Sequence, residues 1–280
     1  MTPTDPRPRD PSTPVPAPGE VDGVLLCAGV GRRLQPLTHS IPKALVPVAG
    51  RPIVDYHLEA WREAGVRRAL LVIGYRGDQV RRHVGDGAQY GLEVEYVTQS
   101  DPRGSGHALL VTADRIRSSA VLVGYCDVFF GRNPSVWATL LADERAKIVG
   151  AVVPDAGAYG RLVSDGDVPW PRLLAIHEKD GNPSPGLVNA GAYLLPRRVV
   201  EILRTVPLSA RGEVELTDGV TAYLAQGGEV RIVPTSGWVD VGTPEHLEYA
   251  TRMAGPPPGP GGVDGSSSED LGRTDPTVEG

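Results

Sequence analysis

Between Asp22 and Asp55 the chain carries no acidic side chain, yet Arg32, Arg33, Lys43 and Arg51 all fall there. In a protein of 280 residues with a formal net charge of -6, that is a local cationic island. Ala28, Gly29 and Gly31 open the same stretch. Small residues permit tight turns and let backbone N–H groups approach a ligand, so such a loop can cradle phosphates while the guanidinium and ammonium groups neutralise them. Chemistry at a phosphorus centre depends chiefly on positioning and on stabilising charge, which suits this set. Two familiar glycine motifs are excluded. A dinucleotide fingerprint would need glycine where Leu34 stands, and no Gly-Lys-Ser/Thr follows at the spacing of a Walker loop. Taken alone, the glycines fit a structural strand-to-helix turn equally well.

Four other places carry residues suited to a site. QSDPRGSGHAL, 99–109, joins an amide to a glycine five residues later; an amide can pair with a base edge through donor and acceptor, and glycine lets backbone lie against a ring. Asp127 ends the apolar run VLVGYCDVFF, where ligands of open parallel sheets bind. Asp240 lies in GWVDVGTPEHLEYA, and IHEKD, 176–180, sets Glu178 beside Lys179. The triplet Asp165-Gly166-Asp167 has the form of a metal-binding DxD, but Asp-Gly between strand-like pieces reads as a hairpin turn. The histidines show no metal-ligand spacing.

The elements that must position these residues follow the pattern of a single Rossmann-like α/β domain, a mixed, mostly parallel sheet flanked by helices. Strands are expected over 21–28, 69–74, 92–98, 120–128, 147–153, 172–178, 188–195 and 230–234. Helices are expected over 52–65, 79–83, 105–116, 197–204 and 216–226. The domain spans 21–253, between a Pro-rich segment, 1–20, and a Gly/Pro/Ser-rich segment, 254–280, whose compositions cannot bury enough apolar surface to order. Cys27 and Cys126 sit in apolar runs, which argues against a disulfide framework. The acidic balance argues against nucleic acid or an anionic membrane as partner. With no apolar leader and no run approaching roughly 18 apolar residues, the expected location is cytoplasmic.

The string GxGxRLxPLT followed by PKALVPVxGRP resembles the sugar-1-phosphate nucleotidylyltransferases, also called sugar-nucleotide pyrophosphorylases, and the resemblance continues through 21–253. It implies an enzyme that joins a nucleoside triphosphate to a sugar 1-phosphate with release of pyrophosphate, using Mg²⁺ as cofactor. It implies that Leu26, Ala28, Gly29, Gly31, Gln99 and Gly104 bind the nucleotide, that Arg33, Lys43 and Lys179 act on the phosphates, and that Asp127 and Asp240 hold the metal. Gly160, Glu178, Lys179 and Asn189 fall in segments similar to the sugar-phosphate pocket. The match departs at two places. Cys126 stands where the family has glycine before the metal-binding aspartate, and Asp180 replaces the proline after Glu-Lys, with loss of a fixed φ. PKALVPVAGRP is closer to guanylyl- and uridylyl-type members than to the short thymidylyl type. The base, the sugar and a homo-oligomeric state are left open. Three rivals remain: a non-sugar acceptor such as phosphocholine or a cyclitol phosphate, a non-catalytic regulatory subunit, and a glycosyltransferase using the DxD.

Overall fold

The computed structural model describes residues 21–131, 135–166, 170–209 and 211–255. Residues 1–20 and 256–280 lie outside the described residues, as does Asp167. Ala254, read above as the start of the tail, instead closes the last helix and is buried.

The near-continuous apolar runs at the start of the chain form strands buried on both faces. β1 (Asp22–Leu26) leads through three short 3-10 turns to the small ribbon of β2 (Pro47–Val48) and β3 (Arg51–Pro52), then to α1 (Ile53–Glu63). β4 (Arg68–Ile73), α2 (Gly77–Val84), β5 (Glu93–Thr98), α3 (Ser105–Leu110) and β6 (Ala120–Tyr125) follow. Among these, β6, β1, β4 and β5 pair in that order, all parallel. Sequence period alone carries α3 on to 116, but Thr112 Oγ1 donates to Leu109 O at 2.6 Å, and the local side-chain bond ends the regular helix at Leu110.

The second half is mostly antiparallel. β7 (Val128–Phe129) and α4 (Ser135–Leu141) precede β8 (Lys147–Val153), β9 (Gly160–Ser164), β10 (Leu173–Glu178) and the long β11 (Gly186–Pro196). α5 (Arg197–Ile202), α6 (Leu216–Ala225), β12 (Arg231–Thr235), β13 (Val239–Asp240) and α7 (Pro244–Ala254) complete the chain. β11 pairs antiparallel with β6, β8 and β9, so it welds the two halves into one nine-stranded mixed sheet among the described residues. One core layer packs α1 and α4 through Trp61 and Trp137, the other packs α3, α5 and α6. No helix of the described residues is long and apolar enough to cross a membrane.

At the amino end of the parallel strands Asp22 accepts from Arg68 Nη1 at 2.6 Å and from the Ser118 N–H and hydroxyl at 3.0 and 3.1 Å, with a further bond from Arg117 N. Burial pushes this carboxyl up, but the backbone donors and Arg68 outweigh burial and hold it below its ordinary value. The folded pKa is depressed, so the contribution is complete above the unfolded value and lost as pH falls through the folded one. Acid unfolding followed by circular dichroism is therefore expected to show stability falling below about pH 4, with Asp22→Asn shallower in that range than the parent.

Candidate active site

The cationic loop leaves β1 at its carboxyl end. Gly31 adopts φ +68, which favours glycine, and a Cβ there would meet Thr38 and Lys43 side-chain atoms at 3.0 and 3.3 Å. Thr38 Oγ1 donates to Gly31 O at 2.7 Å and closes the turn. This places Arg33 and Lys43 over the strand ends.

The two aspartates reach the same point by a different route. β7 and β13 form a two-stranded antiparallel ribbon in which Asp240 pairs with Val128, and Val241 N donates to Asp127 O at 2.7 Å. Residues far apart in sequence thus become neighbours through a ribbon of two residues per strand. Lys43 Nζ donates to Asp127 Oδ2 at 2.6 Å and lies 3.8 Å from Asp240 Oδ1, while Arg33 Nη2 lies 3.6 Å from Asp240 Oδ2. All four charged groups therefore meet in one cluster. Burial pushes Asp127 up, yet the Lys43 ammonium outweighs it and holds the carboxyl below the ordinary range. Burial, and then the Asp127 charge, push Asp240 up. Thr243 caps α7 by accepting from His246 N, and His246 Nδ1 lies 2.6 Å from Asp240 O, so the start of this helix braces the aspartate from behind.

Two cavities flank the cluster. One, of about 260 Å³, is lined by Leu26, Ala28, Gly29, Lys43, Gln99 and Gly104 among others. A Cβ on Gly29 would touch nothing within 4 Å, so backbone faces open space there. Gly104 has φ +98, and a Cβ would lie 2.6 Å from Val214 O, so glycine is required for the chain to pass. The second cavity, of about 300 Å³, is lined by Arg33, Gly160, Glu178, Lys179, Asn189 and Asp240 among others. Ser105, Tyr125 and Asp127 line both, so the cavities share a wall at Asp127.

Of the residues to which the resemblance assigns a role, Gly31 alone lines neither cavity; its position is that of the turn that sets Lys43. Asn189 lines the second cavity, but its polar atoms also serve the fold. Its amide nitrogen donates to the Tyr193 hydroxyl at 2.6 Å and its oxygen accepts from Gly191 N at 3.0 Å, across an irregularity in β11. Glu178 sits opposite Gly160 in the β9–β10 pairing, where a Cβ would come within 2.7 Å of its carboxylate. Lys179 has φ +46, a strained value for a non-glycine residue.

Asp180 holds that strained turn in place of a rigid ring. Its carboxylate accepts from Arg161 Nε at 3.0 Å and from Asn182 N at 2.9 Å, and Arg161 also donates to the Asn182, Pro185 and Ser184 oxygens. Asp180→Ala is expected to speed amide exchange at Asn182, read by deuterium uptake of a peptide covering 179–185, with the strands unchanged. Cys126, in the glycine position before Asp127, is buried, while Gly124 takes the glycine-requiring place against Trp137 and Trp61 at 3.0 and 3.1 Å. Asp165 of the DxD is spent on Arg172, accepting from its Nε at 2.6 Å and its N at 2.8 Å at the β9–β10 turn.

Sequence reasoning left out Tyr125, Ser105, Tyr159, Trp238, Thr217, Glu213 and Glu215, which the structure puts on the cavity walls. Glu213 and Glu215 belong to RGEVELTD, 211–218, whose spacing alone gives its carboxylates no role. Glu213 lines the first cavity and Glu215 the second, and their shared hydrogen bond pushes Glu213 up. Tyr125 and Trp238 had no signal beyond lying inside motifs.

Among the described residues no group of three or more His, Cys, Asp or Glu could hold a metal. The Asp127–Asp240 pair offers two hard oxygen donors at a point that already draws in cationic side chains, and a hard divalent ion fits that set if phosphate oxygens and water complete it.

The sequence matches the family model described as nucleotidyl transferase over residues 22–254. A glucose-1-phosphate thymidylyltransferase of Streptomyces griseus is 33% identical, covering 82% of this chain and 65% of its own length. A mannose-1-phosphate guanylyltransferase of Mycobacterium tuberculosis is 32% identical, covering 81% and 62%. The chain thus spans somewhat under two thirds of the length of these relatives, and their near-equal identities favour neither base. Among solved structures, a UDP-glucose pyrophosphorylase complexed with UDP-glucose shares the fold, with a TM-score of 0.73 at 21% identity over 83% of this chain and 97% of that one. A putative glucose-1-phosphate thymidylyltransferase from Bacillus anthracis gives a TM-score of 0.72 at 28% identity, covering 84% and 95%. Cationic turn, paired aspartates and the matched span agree, and the chain belongs to the nucleotidyl transferase family.

Proposed function

We propose that this protein transfers a nucleoside monophosphate from a nucleoside triphosphate to a sugar 1-phosphate, yielding a nucleoside diphosphate sugar and pyrophosphate. The observation that carries this reading is the shared wall. Two cavities, one bordered by Gln99 and Gly104 and the other by Glu178 and Lys179, meet at Asp127 under Arg33 and Lys43. Two anionic substrates laid in the two cavities bring their phosphates together there. The names of the relatives, a thymidylyltransferase and a guanylyltransferase acting on hexose 1-phosphates, support the same class.

In this mechanism an oxygen of the sugar 1-phosphate attacks the α-phosphorus in line, a P–O bond forms, and the bond from the α-phosphorus to the pyrophosphate oxygen breaks. The attacking phosphate is already ionised near neutral pH, so no strong base is needed and no covalent enzyme intermediate arises. Arg33 stabilises the charge that grows on the leaving pyrophosphate, and Lys43 holds the α-phosphate. Lys179, at its strained φ, presents an ammonium to the sugar phosphate while Glu178 accepts from sugar hydroxyls. Leu26, Ala28 and Gly29 supply the backbone surface against the nucleotide. Asp127 and Asp240 would hold Mg²⁺, which supplies charge neutralisation at the phosphate oxygens.

The test is a matrix of triphosphates against sugar 1-phosphates, phosphocholine and a cyclitol phosphate with magnesium, reading pyrophosphate release. Release with at least one sugar 1-phosphate supports the reading. Release only with a non-sugar phosphate, or none across the matrix, overturns it.

A further inference from the structure

The only two cysteines of the chain meet at the wall of the first cavity. β1 and β6 pair in parallel with Leu26 opposite Tyr125, and Cys126 N donates to Leu26 O at 3.2 Å just past the last pair. Cys27 and Cys126 are therefore the next residues in register. Side chains alternate along a strand, and both cysteines fall on the face that carries Leu25, Leu122 and the buried side of α1. Each is a free thiol, 3% exposed, and the two thiols are in hydrogen-bonding contact. Neighbouring strands lie about 4.8 Å apart, within the Cα separation of about 4.4–6.8 Å that a disulfide can bridge. One residue further along stand Ala28, which opens the turn to Arg33 and Lys43, and Asp127, which Lys43 holds at 2.6 Å. Cys126 occupies the glycine place of the resembled motif, so the pair is no part of the shared phosphate-binding apparatus.

We infer that Cys27 and Cys126 form a modification site, a dithiol that a peroxide closes to a disulfide, and that closure slows chemistry at the neighbouring Asp127. The slowing rests on the transfer reading above; the chemistry of the pair does not. Hydrogen peroxide is little larger than a water, whose share of liquid volume is about 30 Å³, and the cavity holds about 260 Å³. One sulfur attacks a peroxide oxygen: an S–O bond forms, the O–O bond breaks, and a sulfenic acid and one water result. The second sulfur then attacks the sulfenic sulfur: an S–S bond forms, the S–O bond breaks, and a second water leaves. The two thiols lose two electrons and two protons, and the peroxide is reduced to two waters. Burial pushes the Cys126 thiol above its ordinary pKa, which suits it to the second attack rather than the first. A disulfide sets its Cβ atoms about 3.8 Å apart, so closure draws the two strand ends together by about 1 Å. Asp127 and Ala28 move with them, and a misplacement of that size at reacting groups can cost about 100-fold.

The experiment treats the full, reduced chain with hydrogen peroxide, removes the excess, caps remaining thiols with N-ethylmaleimide, and reads intact mass and pyrophosphate release. With two cysteines in the chain, a bridge within one molecule can only be this one. The expected product is about 2 Da lighter and takes up no maleimide. Its turnover is expected to be about tenfold or more below that of the untreated protein, and dithiothreitol restores both thiols and rate. Cys27→Ser and the double variant Cys27→Ser/Cys126→Ser are expected to keep their own untreated rates under the same treatment. A bridge between two chains, sulfinic acid without a bridge, or no oxidation of the folded protein overturns the inference. So does a bridged protein with undiminished turnover, or a loss in the double variant equal to the parent's, which places the damage at another residue. A reduced parent that releases no pyrophosphate sinks the transfer reading alone, and the mass then decides the dithiol.

Discussion

Arg33→Ala is expected to release pyrophosphate about 100- to 1000-fold more slowly than the parent protein at saturating substrate, the usual cost of removing one electrostatic stabiliser of a transition state. Arg33 is well placed to show this cleanly. Its side chain is 66% exposed, and its ion pair to Asp240, at 3.6 Å, is long. Truncating it removes little packing, so thermal unfolding should barely move and the loss should appear in turnover. Arg33→Lys is expected to recover only part of the rate, because an ammonium cannot reproduce the planar fork of a guanidinium on phosphate oxygens. Rapid-quench or coupled pyrophosphate assays check both variants. Turnover of Arg33→Ala near that of the parent would remove the residue from the mechanism.

The second large effect concerns the aspartate shared by the two cavities. Asp127→Asn is expected to cut metal-dependent turnover by about three orders of magnitude and to raise the magnesium concentration needed for half-maximal rate. One of the two oxygen ligands proposed for the ion becomes a neutral amide, and Lys43, with its side chain only 12% exposed, loses the charged partner it holds at 2.6 Å. The backbone bond from Val241 N to Asp127 O does not depend on the side chain, so the β7–β13 ribbon should survive the change. Circular dichroism and a magnesium titration of the rate separate these effects. Unchanged magnesium dependence would move the ion to another site.

The parallel half of the sheet was legible because β1, β4 and β6 are apolar beyond the Asp22–Arg68 pair at their amino ends, as strands covered on both faces must be. Elements with weaker patterns were not. α4 is seven residues long and buries Val136, Trp137 and Leu140, too short a run to display a helical period. α7 packs on the core through Leu247, Ala250, Met253 and Ala254, a stripe half made of alanine and too weak to stand out, although Thr243 and Pro244 form a readable start signal. The reading ran the strand through 128, whereas β6 stops at Tyr125 and Val128 turns away to pair with Asp240.

That turn is what composition and spacing could not supply at the site. Asp127 and Asp240 could each be singled out as a strand-end carboxylate, but their meeting depends on the two-residue ribbon, which has no periodicity to detect. Lys43 and Arg33 were visible because a run without acids stands out in an acidic chain. The Asp180 substitution looked from sequence like a loss of rigidity, yet Arg161 converts it into a charge-assisted clamp, a compensation visible only in three dimensions.

The convergence of one cationic turn and two aspartates around a triphosphate and its ion is tested most directly by diffraction from crystals soaked with Mn²⁺ and a triphosphate that the protein binds. The account predicts an anomalous peak coordinated by both Asp127 and Asp240, with the triphosphate in the cavity bordered by Gln99 and its α-phosphate at that ion. A peak elsewhere, or a triphosphate bound outside that cavity, would contradict it.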